Sequence, residues 1–139
     1  MAWYSDLSPY SYYPGESDAV NVGWLEAGHP FQRGPVPLLV VAELERLSRD
    51  PKHPTRGYHQ CQFCVPSTDT IAALPECLEA WWGQRRGNAE IHVQGTNGTT
   101  YIAPSLVLHY IIEHQYQPPR EFIEAVLHQQ HLRVERRGA

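Results

Sequence analysis

The sequence predicts a small α+β domain, and three observations carry that prediction. Apolar residues recur at helical spacing in three segments, 36–49, 105–116 and 117–131. A pair of short strand-like runs, "EIHV" and "TTYIA", is joined by "GTNG", which reads as a β-hairpin. A C-x-x-C stands before the hairpin and an H-x4-H after it, so one metal site would tie the parts together. The 139 residues suit a single domain over 1–139, and 42% hydrophobic residues allow a core.

The elements follow in order. Residues 1–35 show neither a helical nor a strand period and are dense in Tyr, Trp, Pro and Gly. We read them as an ordered, irregular arm anchored by Trp3, Tyr4, Tyr10, Trp24 and Phe31, with one short strand in "AVNVGWL". Residues 36–49 form a helix with Pro37 in its first turn and Leu39, Val40, Leu44 and Leu47 facing inward. Residues 50–57, "DPKHPTRG", are a turn-rich link. "TDT" at 68–70 caps a helix that runs from Pro75 through "ECLEAWWG". The hairpin occupies 89–104, with Asn97-Gly98 favouring positive φ. Pro104 and Ser105 open a helix with Leu106, Val107, Tyr110 and Ile111 on its apolar side. "QPP" ends it, and Pro119 starts the last helix, 117–131, with Phe122, Ile123, Val126 and Leu127 inward.

The chemistry sits at 58–116. Cys61 and Cys64 with His109 and His114 make the Cys2His2 donor set of a structural zinc site. A tight C-x-x-C turn aims two thiolates at one point, and a helix end supplies the two imidazoles. The order knuckle, hairpin, helix is treble-clef-like. Residues five apart on an ideal helix point about 140° apart, so His114 requires a last turn that departs from regular geometry. His59, His92 and Cys77 are rivals for the fourth position. The competing readings are two buried thiols or a redox dithiol, but "CQFCVPS" runs into a Pro-containing loop and not into a helix. Four protein donors close a tetrahedral shell, which favours a structural Zn2+ over a catalytic one.

The remaining polar residues have plain readings. His29 sits in a Gly-His turn, Asp6 caps "LSPY", and Glu90 is a strand-edge charge. A ββα-metal-like nuclease would place a base near His92 and ligands on the following helix, but the first strand lacks paired ligands. The net charge of −4 also argues against phosphodiester and nucleic-acid surfaces. No P-loop, dinucleotide fingerprint, nucleophile elbow or H-E-x-x-H is present. No apolar run is long enough to span a bilayer, so no membrane association is expected. The N-terminus lacks a basic stretch followed by an apolar one, so no signal peptide and a cytoplasmic location are expected.

The stretches "YSDLSPYSY", "NVGWLEAGHPF", "RGYHQCQFC" and "GNAEIHVQGTNGTTYIAPSLVLHYIIEHQYQPPREFIEAV" together resemble a family of small uncharacterised bacterial proteins, a domain of unknown function. The resemblance spans residues 4–127 and implies a single-domain cytoplasmic bacterial protein, with no catalytic residue to carry over. The expectation is a non-catalytic, zinc-stabilised domain that meets a protein partner, of immunity or regulatory type, through its many Tyr and Trp side chains. The alternatives are a metal-dependent hydrolase or nuclease and a nucleic-acid-binding zinc domain.

Overall fold

The computed structural model describes residues 3–10, 19–49, 59–64, 86–87 and 89–138, of which 59–60, 86–87 and 136–138 by their backbone alone. The expected helix from Pro75, its cap at 68–70 and the link at 50–57 lie outside the described residues. The elements are β1 (Ala19–Asn21), α1 (Leu38–Ser48), β2 (His59–Gln60), β3 (Arg86–Gly87), β4 (Glu90–Gln94), β5 (Thr100–Pro104), α2 (Val107–His114) and α3 (Arg120–Gly138). This is an α+β fold.

The hairpin is the organising element. β4 and β5 pair antiparallel from Glu90↔Pro104 to Gln94↔Thr100. The turn closes with Gly95 N–H donating to the Thr99 carbonyl at 2.7 Å and with Gly98 at φ 84°. Asn97 stays at negative φ and instead accepts the Thr99 N–H on its side chain at 3.1 Å. β1 then pairs parallel with β5, giving the order β1-β5-β4.

β5 is therefore central and covered on both faces, so its residues are buried without alternation. Tyr101 and Ala103 join Ile91 and Val93 of β4 in the main core, with α1, α2 and α3. Ile102 points the other way, into a second cluster with Tyr10, Ala19 and Trp24 of the arm. The Trp24 indole N–H donates to the Ile102 carbonyl at 3.0 Å, so the arm is held by a polar bond as well as by burial.

The described residues of the arm, 3–10 and 19–35, are fixed by long-range bonds. Asp6 does not cap "LSPY": its carboxylate accepts the Gly23 N–H at 2.9 Å and the Tyr116 hydroxyl at 2.8 Å. Burial raises the pKa of Asp6, with both of these bonds opposing the rise. Gly23 sits at φ 79°, and a Cβ there would meet Val107 Cγ2 at 2.8 Å, so this close crossing of arm and α2 requires glycine.

Two helices differ from expectation. Pro37 is the N-cap of α1 and lies outside its first turn. Leu39 faces solvent, and the buried residues are Val40, Glu43 and Leu44, with Leu47 packed at the edge. The buried charge explains the rotation. Glu43 receives Arg46 of its own helix at 2.6 Å and Arg133 of α3 at 3.1 Å. α3 runs on to Gly138, past the expected end at 131, and this extension delivers Arg133.

Burial pushes the Glu43 carboxyl up, but the hydrogen bonds and charges of Arg46 and Arg133 outweigh it and hold the pKa below its ordinary 4.5. A depressed carboxylate stabilises the fold above its unfolded pKa and loses that contribution as pH falls through the folded value. Glu43→Ala should lower the unfolding free energy by about 2–3 kcal/mol in urea titration at neutral pH. That is less than for a fully enclosed pair, because both arginines can turn to water. The loss should shrink below pH 4.5; a deficit that persists undiminished in acid would contradict this account.

Candidate metal centre

The knuckle leaves directly from a paired strand. β2 pairs antiparallel with β3, His59 opposite Gly87 and Gln60 opposite Arg86, and the chain turns at Gln62 and Phe63. Within the turn the backbone N–H groups of Phe63 and Cys64 bond the Cys61 sulfur. A short C-x-x-C turn thus offers donors to a thiolate before any ion arrives. Two contacts dock it: the Gln62 side chain accepts the Ala27 N–H at 2.8 Å, and the Phe63 ring packs edge-on to Phe31 at 5.2 Å. Phe63 also meets Tyr110 and His114, at 6.0 and 5.5 Å between centroids.

The end of α2 supplies the imidazoles, and its geometry removes the i,i+5 difficulty. His114 is the last helical residue, and Gln115 is left-handed at φ 57°. The N–H groups of Gln115 and Tyr116 both bond the Tyr110 carbonyl, five and six residues back. An i→i−5 closure is a widened, π-type turn, which narrows the angle between i and i+5. The two rings meet at 5.1 Å between centroids.

Beyond the turn, an antiparallel bridge between Arg33 and Tyr116 holds the new direction, with Gly34 N–H donating to Gln115 O at 3.1 Å and Gln117 N–H to Gln32 O at 2.9 Å.

Cys61, Cys64, His109 and His114 come together, with their donor atoms all within 4.8 Å of one another. Three sulfur–nitrogen separations are short: Cys61 Sγ to His114 Nε2 3.3 Å, Cys64 Sγ to His109 Nε2 3.2 Å, and Cys64 Sγ to His114 Nε2 3.3 Å. Zn–S of about 2.3 Å and Zn–N of about 2.0–2.1 Å at tetrahedral angles separate such a pair by about 3.5 Å. These three edges match those of a tetrahedral shell to within a few tenths of an ångström. Cys61 is buried and the other three are half-buried, so the site lies at the edge of the core.

Burial pushes the Cys61 thiol up to about 11, with Cys64 adding to the rise and the N–H groups of Phe63 and Cys64 opposing it. Such a thiol stays protonated at neutral pH on its own. A dication reverses that balance, because ligation deprotonates the sulfur.

The rival donors fall elsewhere. His92 is not among the clustered donors; its Nε2 lies 3.1 Å from Glu90 Oε1, on the arm-facing side of the sheet. The His59 side chain and Cys77 lie outside the described residues. Glu90 is no strand-edge charge: it is buried and accepts the Tyr10 hydroxyl at 2.6 Å. The alternation of β4, with Ile91 and Val93 inward to the helices, was the signal that Glu90 and His92 share the opposite face. His29 is exposed in its turn and stacks flat on Trp3 at 4.1 Å.

Fold and donors together define a small α+β domain with a Cys2His2 cluster able to hold a metal ion. The chain belongs to the family described as a domain of unknown function (DUF7919), whose model matches residues 2–127. No curated protein and no solved structure matches it. Among the described residues no helix is long and apolar enough to cross a membrane.

The left-handed Gln115 gives a direct check on the widened turn. Gln115→Gly should raise the melting stability by about 0.5–1 kcal/mol, since glycine adopts this conformation without a Cβ penalty. Gln115→Val should lower it by more than 1 kcal/mol, on the order of a β-branched residue forced left-handed. Equal stability of the two variants would argue against the left-handed cap.

Proposed function

We propose that this is a non-catalytic domain stabilised by one structural Zn2+ on Cys61, Cys64, His109 and His114. The observation that carries the reading is the convergence of four donors from two distant segments within 4.8 Å. Two thiolates and two imidazoles suit zinc, and four protein ligands fill a tetrahedral shell, which supports a structural role over a hydrolytic one. The β4–β5 hairpin lies in sequence between the knuckle and α2, which supports a treble-clef-like arrangement. When bound, the ion would link the knuckle to the end of α2 and supply folding free energy to a chain with twelve prolines.

We infer further that the domain serves as a protein-interaction module of immunity or regulatory type. Leu38, Leu39 and Ile112 are 80, 54 and 55% exposed on two helices in mutual contact, and large exposed apolar side chains suit a partner surface.

Metal analysis of the purified chain should give about one zinc per chain, and Cys61→Ser should abolish it. With free zinc at 1,000 times Kd, the wild type should gain about 4 kcal/mol over its chelated form, and the variant nothing. A metal-free wild type whose melting is indifferent to added zinc would end the zinc reading. For the second part, a protein encoded beside this gene that copurifies with the wild type should be lost from Leu38→Glu/Leu39→Glu at unchanged melting temperature. Retention by that variant would remove these leucines from the interface.

A further inference from the structure

An open cleft of about 350 Å³ lies on the arm, lined by Gly28, His29, Pro30, Phe31 and Arg33. That volume falls at the low end of small-ligand sites, about 300–1,000 Å³. No acidic residue lines the cleft, and Arg33 enters no ion pair among the described residues.

Both polar side chains of the cleft are held in place from behind. The Arg33 guanidinium lies over the Phe31 ring, 4.8 Å from its centroid. Phe31 is itself wedged edge-on between Phe63 of the knuckle and Tyr116, at 5.2 and 5.9 Å between centroids. The Arg33 backbone is pinned by its antiparallel bridge to Tyr116. Across the cleft the His29 ring lies flat on Trp3, within 8° of parallel. The indole covers one face of the imidazole and leaves its nitrogen-bearing edge uncovered. An exposed arginine ordinarily gives up rotamer freedom when it grips a ligand, and stacking removes part of that cost in advance.

The chemistry of the lining selects the ligand. A guanidinium stacked on a ring keeps its fork of N–H groups available at the edge, which matches the two oxygens of a carboxylate. His29 offers a ring N–H to the same anion. Pro30 and Phe31 supply apolar contact for the body that carries it. One fixed cation matches a single negative charge, and the chain's net charge of −4 disfavours a multiply charged ligand such as phosphate.

We propose that this cleft is a binding site for an organic carboxylate, gripped by the fork of Arg33, with His29 as the second donor and Pro30 and Phe31 against its apolar body. The carboxylate comes from a free organic acid or from the C-terminus of a peptide, and the probes below separate the two. No ion in the cysteine–histidine cluster is needed, so the inference stands or falls apart from the zinc reading.

Wild type, Arg33→Lys, His29→Ala and Arg120→Lys are titrated as full chains at constant ionic strength, with binding read from NMR shifts. The probes are benzoate, benzamide, inorganic phosphate and N-acetylphenylalanine. Benzoate should move the Gly28 and His29 signals saturably, and benzamide, with the same body and no charge, should not. Arg33→Lys keeps the charge but loses the fork, and should weaken benzoate by about tenfold, roughly the worth of one charge-assisted hydrogen bond. His29→Ala should weaken it as well. Arg120→Lys changes an exposed arginine that pairs with Glu124, away from the cleft, and should bind as the wild type does.

Tighter binding of N-acetylphenylalanine than of benzoate assigns the site to a peptide C-terminus, and the reverse assigns it to a free acid. No saturable shift with either carboxylate, benzamide binding as well as benzoate, or phosphate binding more tightly than both would overturn the proposal. So would wild-type affinity in Arg33→Lys or in His29→Ala.

Discussion

The widened last turn of α2 is the constraint on which the site and its surroundings depend. A regular helix would carry His114 about 140° away from His109. Closing two N–H groups on the Tyr110 carbonyl brings the two imidazoles to one side and forces Gln115 into the left-handed region. The same deviation redirects the chain, so that Tyr116 enters the core and reaches Asp6, while Gln117 and Gln115 bond the strap at 32–34. Arm, strap, helix end and knuckle thus share one local departure from regularity. A non-glycine left-handed residue is tolerated there because contacts on both sides over-determine it.

The sheet imposes a complementary division. With β5 in the centre, one face carries the apolar layer shared with the helices, and the other belongs to the arm. Glu90, Tyr10 and His92 form a polar group on the arm side, joined at 2.6 and 3.1 Å. Glu43 is bound by two arginines on the helix side. Each buried carboxylate is matched where it lies, as the energetics of buried charge require.

The α+β class, the hairpin and the existence of three helices were legible because each has a local cause: periodicity, an Asn-Gly turn, prolines at helix starts; the run of the last helix from 131 to 138 was not. The four donors of the cluster were legible as residue types at metal-site spacing. What escaped was set by distant partners. Leu39 fits the apolar stripe of α1 as well as Glu43 does not, yet Arg133, ninety positions away, decides that Glu43 goes in. Asp6 carries a local cap signal, and its actual bonds go to Gly23 and Tyr116. The parallel pairing of β1 with β5 leaves no trace in three residues of strand.

The parallel strand also bears on the order in which the chain becomes safe from aggregation. Tyr10, Trp24 and Asp6 find their partners 80, 78 and 110 positions downstream. At roughly 5–20 residues per second of synthesis, the arm waits about 5–20 s with its aromatic side chains uncovered. Tyr10, Trp24 and Asp6 can take up their folded contacts only after the second half of the sequence has been made.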